Sequence, residues 1–158
     1  MFQFLIFSDL FWDVLKKDHK TKNKKIKKEI LKMKSELKFY ICKKCGNIVV
    51  KVKDSGVPVF CCGEEMEEII PGKVEAATEK HIPVYEIEGN EVNVKVGEIE
   101  HPMVEEHYIQ WVAIQTNEGY QIKKLEYGNK PEVKFSISKE EKIENVYAYC
   151  NLHGLWRA

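Results

Sequence analysis

The chain has 158 residues, 44% hydrophobic and 32% charged, with 25 basic residues balancing 25 acidic ones. That length suits one ordinary domain or two small ones. The cancelled charge argues against a whole-protein nucleic-acid footprint, and no uncharged apolar run reaches the roughly 18 residues that a membrane span needs. The balance hides an asymmetry: residues 1–32 carry nine lysines against Asp9, Asp13, Asp18 and Glu29, a net +5, which leaves a net −5 on the rest.

In residues 1–32 an apolar, aromatic stretch (Met1 to Leu15) precedes a lysine-rich tract (Lys16 to Lys32) that contains His19. A secretory signal has the opposite order and small residues at a cleavage site. The expectation is an N-terminal extension that is disordered or a mis-assigned start, with translation beginning at Met33. The alternative is a helix lying on an anionic membrane surface. No function is attached to this segment.

The character changes at Phe39. Cys42-Lys43-Lys44-Cys45-Gly46 is a metal knuckle, because two thiolates three positions apart can grip one ion. The adjacent pair Cys61-Cys62 follows, again with a glycine, Gly63. Between them Asn47 to Lys53 is β-branched and strand-like, and Ser55-Gly56-Val57-Pro58 reads as a turn. The expectation is a hairpin module whose four sulfurs converge on one ion. Four soft thiolates fit either zinc or iron. Adjacent cysteines cannot repeat the geometry of a spaced knuckle, so a distorted cage is expected.

A second constellation follows. His81 lies in Glu79-Lys80-His81-Ile82-Pro83, His101 in Glu100-His101-Pro102-Met103, and His107 in Glu105-Glu106-His107-Tyr108; Cys150-Asn151-Leu152-His153-Gly154 closes the chain. Imidazoles suit iron, copper, zinc and nickel, and one thiolate adds a soft, strong donor. Four histidines and one cysteine make five donors, one more than structural zinc generally takes. Iron accepts five and keeps a sixth position for a small molecule. The amides of Leu152 and His153 are expected to point at the Cys150 sulfur and tune it. Pro83 and Pro102 hold their neighbours extended.

The scaffold reads as antiparallel β: a hairpin of Val84 to Glu88 and Val92 to Val96 about Gly89-Asn90, then Tyr108 to Gln115, Tyr120 to Tyr127, Val133 to Ile137 and Val146 to Cys150. Short strands with intervening turns predict a sandwich or small barrel. Tyr108, Trp111, Phe135 and Trp156 are expected in the core, and Glu36, Glu65, Glu67 and Glu68 at the surface.

These motifs together resemble desulfoferrodoxin, the two-iron type of superoxide reductase, from about Met33 to Ala158. The N-terminal 32 residues fall outside that pattern. The resemblance implies a mainly β protein: a desulforedoxin-like domain over 33–70, then an immunoglobulin-like antiparallel β-sandwich over 71–158. By the same resemblance Cys42, Cys45, Cys61 and Cys62 hold a first iron that carries electrons. His81, His101, His107 and His153 lie equatorially about a second iron, with Cys150 axial. Glu79 can take the sixth position of the oxidised iron, and Lys80 stands near the open face. The implied activity is reduction of superoxide to hydrogen peroxide, with a rubredoxin-type donor, in a cytoplasmic homodimer. The alternative is a non-enzymatic iron electron carrier or a structural, zinc ribbon-like module. Without the resemblance the residues reach only as far as a metal-binding redox protein.

Overall fold

The computed structural model describes residues 36–158 together with Thr21, Lys22 and Lys24. The expectations for residues 1–32 lie otherwise outside the described residues. Leu37–Ala158 forms one compact unit. Among the described residues no helix is long and apolar enough to cross a membrane.

The hairpin expected about Gly89-Asn90 is the centre of a sheet. β6 (Pro83–Glu88) and β7 (Glu91–Val96) pair antiparallel from Pro83↔Val96 to Glu88↔Glu91, so only Gly89 and Asn90 form the loop. Gly89 takes φ 62 there, a conformation that costs an L side chain about 1 kcal/mol or more. β10 (Glu132–Ser136) joins the other side of β7 and completes the order β10-β7-β6. Period-two alternation puts Val92, Val94 and Val96 on the buried face, with Asn93 and Lys95 between them.

A four-stranded antiparallel sheet, in the order β12-β11-β8-β9, covers that face. It consists of β8 (Ile109–Thr116), β9 (Tyr120–Lys124), β11 (Ile143–Cys150) and β12 (Gly154–Arg157). Val112, Ile114, Val146 and Ala148 meet the three valines and Phe135 in one core. Burying each valine, isoleucine or phenylalanine side chain contributes roughly 1.5–3 kcal/mol. The result is the expected sandwich. Phe135 and Trp156 are buried as expected, whereas Tyr108 and Trp111 are half-buried. Glu65, Glu67 and Glu68 are exposed and Glu36 is partly covered.

The four-stranded sheet is apolar on its outer face as well. Ala113, Tyr147, Tyr149 and Leu155 cluster there with Phe39, which comes from the cysteine module. The Phe39 ring lies 4.9 Å from Trp111 and edge-on to Tyr147 at 5.4 Å, and Trp111 stacks on Tyr149 at 5.2 Å. Gln115 Oε1 accepts hydrogen bonds from the Leu37 amide, Asn145 Nδ2 and the Tyr147 hydroxyl, at 3.1–3.3 Å. A buried carbonyl oxygen is thus satisfied by the same seam that the rings close.

The cysteine module is built from very short strands. β1 (Phe39–Ile41) pairs with β2 (Ile48–Val50) and β5 (Glu67–Glu68), and β3 (Phe60–Cys61) with β4 (Glu64–Glu65). β2 is shorter than the expected run to Lys53. Lys51 Nζ turns to the Val57 carbonyl and Asp54, and Asp54 Oδ1 takes the Gly56 amide, so the chain closes a loop there.

Phe39→Ala removes a ring that is 2% exposed and shared by the two halves. The expected loss is about 3–5 kcal/mol in urea unfolding. A loss under about 0.5 kcal/mol, the range of ordinary surface changes, would mean that this seam is not a core.

Candidate metal centres

Both sequence-predicted donor sets come together. His81, His101, His107, Cys150 and His153 offer five donor atoms all within 4.8 Å of one another, and Cys42, Cys45, Cys61 and Cys62 form a second such group.

The five-donor site sits at one end of the sandwich. His81 closes a single helical turn, Thr78–His81, and Ile82 is extended (φ −67, ψ 122) ahead of Pro83. His101 and His107 lie on the connection between β7 and β8, and His153 on the turn between β11 and β12. Cys150 ends β11, where the ladder to β8 shifts register so that Gln110 is the extra residue. A bulge there re-aims the strand end toward the site. Gly97 holds the histidine turn against the β7 exit: at φ 85, a Cβ would run into the carbonyl oxygens of Ile99 and Lys80.

The four rings form a near-square. Neighbouring centroids are 4.6–4.8 Å apart with ring planes crossing at 77–88°, whereas His81 and His107, on a diagonal, are 6.2 Å apart at 29°. Trp156 stacks on His81 at 4.8 Å, and its Nε1 donates to the His153 carbonyl at 3.2 Å. The expected core role of Trp156 thus extends to the wall of the site.

The ring nitrogens show whether a cation fits. His81 Nδ1 donates to the Ala77 carbonyl at 2.7 Å, and His101 Nδ1 donates to the Pro102 carbonyl at 2.6 Å. Each neutral ring therefore has a bare Nε2, and these two lone pairs face each other at 3.2 Å. His107 Nε2 is buried with no hydrogen-bond partner. His153 turns Nδ1 inward, 2.9 Å from His81 Nε2 and 3.6 Å from Cys150 Sγ. A cation among these atoms would relieve every one of these contacts, so the residues fit a bound metal. The paired carbonyls fix the tautomers, as outer partners of metal-bound imidazoles commonly do.

Electrostatics agree. Burial pushes the pKa values of His81 and His107 below the usual histidine range and that of His101 down to about 4, so the rings are neutral ligands at pH 7. Burial raises the Cys150 thiol, and the amides of His153 and Leu152 act in the opposite direction, as expected from the loop. Lys80 is exposed, and its charge weighs on both His81 and His107. Glu79 is exposed too and stands outside the donor cluster; with Thr78, Ile82, Val84 and Glu98 it lines a cavity of about 190 Å³.

In the cysteine site Cys45 Sγ lies 3.6 Å from Cys61 Sγ, which is 3.9 Å from Cys62 Sγ and receives Asn47 Nδ2 at 3.8 Å. All four thiols are free. Cys62 is the one non-glycine at positive φ (52) among the described residues, with Gly63 following at φ 80. The adjacent pair thus reaches a common point through a left-handed backbone at Cys62. The Cys45 amide lowers the Cys42 thiol to about 7, while the neighbouring thiol of Cys45 drives Cys62 up to about 12. Four thiolates coexist here only around a cation.

A family model described as Desulfoferrodoxin matches residues 73–158. The desulfoferrodoxin homolog of Archaeoglobus fulgidus is 38% identical over 122 residues, covering 77% of this chain and 96% of its own. The desulfoferrodoxin of Nitratidesulfovibrio vulgaris is 39% identical over 127 residues, covering 80% and 98%. Among solved structures, the superoxide reductase from Treponema pallidum is similar with a TM-score of 0.68 and 40% identity, covering 78% of this chain and 97% of that one.

The depressed histidines give the metal-free protein a pH dependence. Unfolded histidines titrate near about 6.5. With folded pKa values below that, the unfolded chain binds more protons at mildly acid pH, so stability falls as pH drops. Melting temperatures of metal-free protein should decline from about pH 6.5 to 5, before carboxylates protonate. A flat profile over that window would show that the rings are not held neutral.

Proposed function

The chain belongs to the desulfoferrodoxin family, and as a member of it we propose that this protein is a superoxide reductase, converting superoxide to hydrogen peroxide without releasing oxygen. The observation that carries this reading is the near-square of four imidazoles with a thiolate beside it. Two irons belong to the chain, one in each donor set. His81, His101, His107, Cys150 and His153 would hold the iron of the five-donor site, which would supply the reducing electron.

The net reaction takes one electron and two protons per superoxide. Lys80 is assigned the first tasks of the protein. Its exposed ammonium, one residue from His81, supplies positive potential in a region whose chain is net acidic, and so attracts a small anion. Through a water it also delivers the first proton. Glu79 is assigned to the oxidised resting state, since its carboxylate stands outside the donor cluster. Cys150 provides the strong donor, moderated by the amides of Leu152 and His153. His81, His101 and His107 remain neutral, which keeps the negative charge on the sulfur.

The division of labour follows the two sites. Residues 33–70 hold the electron-carrying iron on Cys42, Cys45, Cys61 and Cys62, and residues 71–158 hold the reacting one. A rubredoxin-type donor returns the electron. Free thiols gathered about a metal site, in place of disulfides, support a cytoplasmic setting. Val84, Tyr85 and Ile87 are exposed on β6, whose outer edge pairs with no other strand among the described residues, and support a homodimer.

Protein purified without air should contain two irons per chain and form one hydrogen peroxide per superoxide. Cys150→Ser should abolish the sulfur-to-iron absorption and most turnover. Zinc in both sites with no turnover would leave a structural module in place of an enzyme. Lys80→Ala should slow superoxide association about tenfold and flatten its dependence on ionic strength; wild-type values for both would remove this lysine from the mechanism.

A further inference from the structure

The four histidines are not equally supported. His81 and His101 are each fixed by a ring hydrogen bond to a backbone carbonyl. His153 lies on the short turn that directly follows Cys150, the last residue of β11. Among the described residues His107 has no ring hydrogen bond to a backbone carbonyl, and its own backbone makes only the small bridge to Val104, at 3.0 and 3.1 Å. It lies on the long connection between β7 and β8, where nothing in a regular ladder sets its position.

One side chain compensates. Asn151 Oδ1 accepts the Tyr108 amide at 2.9 Å, and Asn151 Nδ2 donates to the Glu106 carbonyl at 2.9 Å. The Asn151 amide donates to the Tyr108 carbonyl at 3.2 Å. Three hydrogen bonds thus run from the residue after Cys150 to the two residues that flank His107. The carboxamide acts as a peptide group would in a strand pair, with one acceptor and one donor spent on opposite sides of the same histidine. Aspartate lacks the donor for Glu106, and alanine lacks both groups.

We propose that Asn151 is the positioning residue that ties His107 to Cys150, fixing the separation of one imidazole and the thiolate, whose sulfur lies 3.9 Å from Asn151 Oδ1. This rests on the five-donor site being a metal centre. It adds that the site is assembled in two halves, one preset by carbonyl anchors (His81 and His101) and one set by a single amide side chain.

The test uses the full chain loaded with iron, and separately with cobalt(II), under chelator competition. In Asn151→Ala the five-donor site should release metal about 10–100-fold more readily, in line with the loss of an outer partner of a metal ligand. The sulfur-to-metal absorption of that site should shift. The four-cysteine site, built on residues 42–62, should keep its affinity and spectrum and so act as an internal control. Asn151→Asp retains the acceptor for Tyr108, guards against failure of the alanine variant to fold, and should show the same selective loss. Wild-type affinity and band position at the five-donor site in a folded variant would overturn the proposal. Equal weakening of both sites would overturn it too, since the residue would then act on general stability. If the unsubstituted protein binds no metal at the five-donor site, the functional reading itself fails, a result distinct from either.

Discussion

Donor atoms without hydrogens, crowded into a buried space, are the constraint on which this molecule depends. The protons of His81 and His101 are committed to backbone carbonyls, and the two bare nitrogens that remain face each other at 3.2 Å. A buried polar atom without a partner costs about 1–3 kcal/mol. His107 adds another such atom. A fold that bears this cost without a cation is one whose loops are held from outside, and the sandwich does the holding. β6, β7, β8, β11 and β12 all deliver an end to the same place, so sheet packing remote from the donors sets their spacing.

The cysteine site solves a related problem differently. Only Cys61 lies on a strand, and Cys42, Cys45 and Cys62 follow short strands in turns, with little core of their own, chiefly Tyr40, Cys42 and Met66. The strained backbone at Cys62 is retained because two consecutive cysteines cannot otherwise aim at one point. In the larger site the protein controls the state of each nitrogen through its neighbours. In the smaller one, control lies in the backbone, and sulfur crowding does the rest.

Much of this was legible in the residues. The paired cysteines and the histidine motifs name every donor, because ligand chemistry restricts the usable side chains and loops leave them at recognisable turns. The Val92, Val94, Val96 alternation located a strand that is buried on one face. Three things could not be read. β1 and β12 are three and four residues long, too short for any period to register. Which nitrogen of each ring faces inward depends on the carbonyls of Ala77 and Pro102, which every residue possesses. The start of β11 at Ile143 lies ahead of the expected strand Val146 to Cys150, and because Asn145 to Cys150 is covered on both faces no polarity alternation marks where the strand begins. Asn151 stood inside a recognised motif, yet its partners at 106 and 108 are brought to it only by folding.

The outer face of the four-stranded sheet makes the smaller module a permanent covering. Ala113, Tyr147, Tyr149 and Leu155 are each less than a tenth exposed, because Phe39 and its neighbours lie over them. A shortened descendant that kept only the reacting half would present a broad oily surface to water. It could persist only by exchanging those positions for polar ones or by pressing them against another chain. Loss of the first metal site would therefore have to be accompanied by a new polar surface, or a new neighbour, on a sheet some distance from it.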